Sequence, residues 1–100
     1  MAAKPNRAVI QNVLRQDKTY TVDAGKYEAM RRAMLAVLPR TAPGATPAEL
    51  KLRLLPHLPD ALFPGGDKAG WWLKAVQLDL EARGIVARAA TAPVRLYRIA

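Results

Sequence analysis

Residues 68–84 read KAGWWLKAVQLDLEARG, the longest uninterrupted helical pattern in the chain, and the division of its apolar positions decides the fold. At about 100° per residue, Ala69, Trp72, Leu73, Val76 and Leu80 share one broad face, which predicts a core-facing helix. Trp71, Ala75, Leu78 and Ala82 make a second apolar strip, leaving Gly70, Lys74, Gln77 and Glu81 as a narrow polar stripe. A helix apolar over most of its circumference is covered on two sides. The two preceding helices are therefore expected to take one strip each. The alternative is that Trp71 and Leu78 meet a second copy or another protein. Asp67 is the expected N-cap, and Gly84 the left-handed residue that ends the helix.

Working upstream, Thr46, Pro47 and Glu49 carry the clearest local signal: a Thr N-cap, Pro in the first helical position and Glu placed to close a capping box. A helix is predicted from there to about Leu55, where Pro56 and Pro59 interrupt its Leu50, Leu54, Leu58 stripe. In the connector PHLPDALFPGG, Leu58, Leu62 and Phe63 are expected to plug the core, and Gly65 and Gly66 to reverse the chain. Asp23 predicts the start of another helix, about Ala24 to Leu38, with Tyr27, Met30, Met34 and Val37 on one face and Pro39 beyond its end. Residues 8–22, AVIQNVLRQDKTYTV, are β-type on both sides of RQDK, either a hairpin or an extended arm with one strand; the first seven residues are expected to be mobile. Downstream of Gly84, Ile85–Arg88 and Val94–Ile99 flank AATAP and predict a hairpin. The class is α+β, mainly helical, with an arm over residues 1–22 and a three-helix domain with its hairpin over 23–100.

Charge adds a modest global signal, since Arg enrichment in a chain rich in Ala, Leu and Pro also arises from coding bias. Sixteen Lys and Arg against eight Asp and Glu give +8 at pH 7, a balance that favours polyanionic partners. From Arg83 onward there are four arginines and no acid. Several chemistries are excluded or disfavoured. The chain has no Cys and no Ser, and its single His57 lies in the proline-rich connector, so no Ser–His or Cys–His nucleophile exists. No His or Cys spacing fits a metal site. Asp79 and Glu81, two apart on a helix, point in different directions and do not make an acid–base pair. FPGGDKAG lacks the full phosphate-loop pattern, and its glycines serve the turn. No enzyme activity, cofactor or metal is expected. No apolar run approaches the roughly 18 residues of a membrane span, and MAAKPNRAVIQ lacks the apolar segment of a secretory signal. The expected setting is cytoplasmic, without a membrane partner.

The helix ending LDLEARGIVAR, followed by a loop and VRLYRIA, resembles the last helix and wing of winged helix-turn-helix domains, with Leu80, Gly84 and Ile85 turning helix into hairpin. VDAGKYEAMRRAMLAVLP together with LFPGGDKAGWWLKAVQLDLEARG also looks like a family of small uncharacterised bacterial proteins. The winged-helix resemblance implies double-stranded DNA as partner and an accessory or regulatory role. It gives Lys68, Lys74 and Gln77 to the major groove and Arg88, Arg95 and Arg98 to the wing. Two features depart from it: the connection before the last helix is long, about eleven residues where a compact helix-turn-helix uses 3 or 4, and the tip AATAP is uncharged. The same architecture also serves protein interaction or homodimerisation, and fold alone does not choose.

Overall fold

Local capping chemistry sets the helix boundaries in a computed structural model, which describes residues 7–100. Helix α1 spans Ala24–Val37, and the Asp23 carboxylate accepts from the Lys26 backbone N–H at 2.8 Å. Pro39 forces Leu38 into an extended conformation, which stops the helix. Helix α2 spans Pro47–Leu54 and has the full capping box: the Glu49 N–H donates to Thr46 Oγ1 at 3.2 Å, and the Thr46 N–H donates to Glu49 Oε1 at 2.8 Å. Helix α3 spans Ala69–Ala82.

The start of α3 differs from expectation. Its N-cap is Lys68, in the left-handed region at φ 59°, with no side-chain cap, rather than Asp67. The turn through Gly65 and Gly66, both at positive φ, takes up Asp67, whose N–H donates to the Pro64 carbonyl. The helix therefore begins one residue later. Its other end is as expected: Gly84, at φ 74°, donates to Glu81 O, and Ile85 donates to Leu80 O. These are the two bonds of a Schellman cap.

Residues 8–22 form a hairpin, not an extended arm. β1 (Arg7–Gln11) pairs antiparallel with β2 (Thr19–Asp23) in a register that sets Ala8 against Val22 and Ile10 against Tyr20. Arg7 already pairs with Asp23; the rest of the segment expected to be mobile, residues 1–6, lies outside the described residues. The second hairpin pairs β3 (Val86–Ala89) with β4 (Arg95–Arg98), Val86 facing Arg98 and Arg88 facing Leu96. A one-residue bridge adds Ala45, from the α1–α2 connection, to β4: Ala45 and Leu96 exchange both backbone bonds at 3.0 and 2.8 Å. The described residues thus form three α-helices and two small antiparallel hairpins.

One core joins these parts. Met30 and Met34 of α1, Leu50 and Leu54 of α2, Val76 and Leu80 of α3 and Leu96 of β4 are fully buried. Trp72 is 7 % exposed, edge-on to Phe63 from the connector. Leu58 and Leu62 pack against this core half-buried. The expected Trp72 face of α3 is therefore the core face. The second strip is covered differently from expectation: the N-terminal hairpin, not a helix, lies over Leu78, and the Val13 N–H donates to the Leu78 carbonyl. Hairpin residues Ile10 and Val22 belong to the same apolar cluster as the three helices.

A buried carboxylate fastens that hairpin. Asp79 is fully buried on α3 and accepts from the Gln11 backbone N–H at 2.8 Å, the Tyr27 hydroxyl at 2.5 Å and Arg83 Nε at 2.9 Å. Arg83 also donates to the Val9 carbonyl at 2.9 Å. Strand β1, helix α1 and the last turn of α3 thus share one charge. Burial, followed by the bond to Asp79 and its negative charge, pushes the Tyr27 phenol up to about 12.

Candidate nucleic-acid interface

A groove of about 260 Å³ runs between the first turn of α2, the middle of α3 and the C-terminal hairpin. Lys51, Lys74 and Arg88 line it over a floor that includes Leu73 and Gln77. Lys51 was not singled out by sequence, because only the crossing of α2 over α3 brings it here. A Cβ built on Gly70 would lie 3.6 Å from Lys51 Nζ, so this ammonium rests on α3 one turn before Lys74.

The expected contact residues do not form one patch. Lys68 and Lys74 are exposed at the start and on the outer face of α3, and neither has an ion-pair partner among the described residues. Gln77, expected on the polar stripe, is 1 % exposed. The stripe closes there because Glu81 holds the Gln77 amide at 3.1 Å and Arg88 in turn covers Glu81. Gln77 Oε1 is buried with no partner among the described residues.

The hairpin arginines are each occupied within the molecule. Arg88 makes a two-pronged ion pair with Glu81, which raises its guanidinium above the ordinary value. Arg95 donates to the Gly44 carbonyl at 3.1 Å and lies 3.4 Å from Glu49. Arg98 donates to the carbonyls of Leu35 and Ala100. The strand register puts Arg88 and Arg98 on one face of the hairpin and Arg95 on the other. Charge count alone could not anticipate these partners, because most of them come from α1, the α1–α2 connection and α2.

Of the two interface candidates, Leu78 is buried under the hairpin and Trp71 is 59 % exposed. Trp71 lines a second groove, of about 360 Å³, between the N-terminal hairpin and α3. Lys74 borders both grooves. His57 is exposed in the connector. Among the described residues no group of three or more His, Cys, Asp or Glu side chains could hold a metal, and no helix is long and apolar enough to cross a membrane.

No curated protein and no solved structure matches the chain. A family pattern does match, over residues 7–96, from the first strand to the middle of the last, and by that span the chain belongs to DUF6958, a family of unknown function.

Proposed function

We propose that this protein binds double-stranded DNA through the face shared by α2, α3 and the C-terminal hairpin, as a winged-helix factor with an accessory or regulatory role. The observation that carries the reading is the meeting of Lys51 and Lys74 along one groove, with Lys68 at the head of the same helix and no ion-pair partner for any of the three among the described residues. The Ala45–Leu96 bridge supports the winged-helix arrangement, since it ties the segment between the first two helices to the wing by a single bridged residue. The acids beside the groove, Glu49 and Glu81, are both met by arginines. Lys51 and Lys74 therefore face solvent with little local opposition, while Lys68 has the exposed carboxylate of Asp67 as its chain neighbour.

In this reading the lysines carry most of the phosphate contact. Arg88, Arg95 and Arg98 contribute less, since each must leave or share an intramolecular partner to reach a phosphate. Gln77 contributes only if the groove opens over it. The test is the affinity of a labelled duplex between about 50 mM and about 200 mM salt, over which a protein neutralising several phosphates loses affinity steeply. Replacing Lys51, Lys68 and Lys74 by Ala is expected to flatten the salt slope by nearly one for each phosphate that is no longer neutralised. Replacing Arg88, Arg95 and Arg98 by Ala is expected to flatten it less. A parent protein that leaves the duplex unbound at about 50 mM salt overturns the reading. The remaining one is then a protein-interaction or dimerisation module of the same architecture, which the exposure of Trp71 favours.

A further inference from the structure

The groove on the other side of Lys74 has a different chemistry. It lies between the N-terminal hairpin and α3, and Trp71, at 59 % exposure, and Tyr20, at 43 %, supply two accessible aromatic rings. Tyr20 reaches it because the β1–β2 register sets it opposite Ile10, on the hairpin face turned to α3. Ile10, Val22 and Leu78 make the apolar floor. Gln11, Asn12 and Thr21 supply neutral donors and acceptors at the edge, Lys74 supplies a positive charge, and no carboxylate lines the groove. Trp72 stands edge-to-face against Trp71 at 5.1 Å between ring centres, which steadies the exposed indole. Beyond Gln11 and Asn12 a further recess contains Lys18; the acid there, Glu81, is already paired with Arg88.

We infer that this groove binds single-stranded nucleic acid, taking an unpaired base between Trp71 and Tyr20 while its phosphates follow Lys74 and Lys18. Accessible aromatic rings beside positive charge are what an unpaired strand requires, because every base offers a π-face whatever its identity. Charge complementarity decides between occupants. A second copy would bring another +8 chain against a surface already carrying Lys74 and Lys18, whereas a strand brings negative charge to it. The inference goes beyond duplex binding and uses a different groove, so either can fail without the other.

The experiment titrates the full chain, at about 50 mM salt, with a labelled single-stranded oligonucleotide of about ten nucleotides, the matching duplex and a free mononucleotide. Quenching of the exposed tryptophan accompanies single-strand binding in the expected result. Trp71→Ala and Tyr20→Ala each weaken the single strand roughly 5- to 150-fold, the range that the loss of one base–aromatic stack predicts. Trp71→Phe, which keeps a ring, retains most of the affinity, and duplex affinity stays within about threefold in all three variants. Tyr20 is 43 % exposed at the edge of the groove, so its variant keeps the test valid if Trp71→Ala unfolds. Three results overturn the inference: unchanged single-strand affinity in both alanine variants, a mononucleotide that binds as tightly as the strand, or concentration-dependent self-association that Trp71→Ala abolishes.

Discussion

Tyr27 carries a pH dependence that a surface tyrosine lacks. Its phenol is displaced from 10.0 to about 12, first by burial and then by Asp79, so the folded state holds the proton more tightly than the unfolded chain. The associated stability is complete below pH 10 and is lost as pH rises through the window to about 12, on the order of 2–3 kcal/mol in total. Tyr27→Phe removes the hydroxyl and is expected to cost about 1–3 kcal/mol at neutral pH. In urea unfolding at a series of pH values, the stability gap between parent and variant should narrow across that alkaline window. A constant gap would mean that neither burial nor Asp79 raises the phenol in the folded state. The two tryptophans differ for an equally local reason. Trp72 fills the core, and Trp72→Ala should cost about 3–5 kcal/mol; Trp71 is 59 % exposed, and its replacement should cost clearly less. Denaturation of both variants at two protein concentrations checks this, and for a monomer neither loss changes with concentration.

Two glycines at similar positive φ separate backbone preference from packing at the level of the elements. A Cβ on Gly84, at φ 74°, meets nothing within 4 Å, so Gly84→Ala should cost only the left-handed penalty, about 1–2 kcal/mol. A Cβ on Gly44, at φ 88°, would fall on the Leu96 carbonyl at 1.9 Å. Gly44→Ala must therefore break the Ala45–Leu96 bridge that ties the α1–α2 connection to the C-terminal hairpin, and it should cost at least about 2 kcal/mol more than Gly84→Ala in the same denaturation assay. The caps at Asp23, Thr46 and Gly84 were legible in the sequence because each is a relation between residues a few positions apart. The start of α3 was not, since the turn at Gly65 and Gly66 competes for Asp67. The cover over Leu78 was not legible for another reason: periodicity shows that a strip is buried, but not whether strand or helix buries it. Lys51 and the partners of Arg88, Arg95 and Arg98 were hidden because helix crossing and strand register place them. Gln77 shows the same limit, since its helical angle put it on the polar stripe while Glu81 and Arg88 closed that stripe above it.

For the molecule as a whole, the excess of eight positive charges opposes folding by self-repulsion, and in the proposed function it favours a polyanionic partner. Asp79, Glu81 and Glu49 are engaged by Arg83, Arg88 and Arg95, so lysines dominate the unpaired charge on the α2–α3 face. Moderate added salt, up to about 0.2 M, should screen that self-repulsion and raise the melting temperature, while it weakens duplex binding. Thermal melts and binding titrations in the same sodium chloride series measure the two trends; a melting temperature that falls with salt would show that attractive surface pairs outweigh the repulsion.

The Asp79 carboxylate also has a kinetic consequence. Asp79 reaches the N-terminal hairpin directly at the Gln11 N–H and, through Arg83, at the Val9 carbonyl, so the amide protons on that side of the hairpin should exchange with solvent as a group, released by a single opening event. Asp79→Asn, which keeps the shape but discards the charge that holds Arg83, should accelerate exchange at Gln11 and Val13 together, while the amides of Leu50 and Leu54 in α2 keep their parent rates.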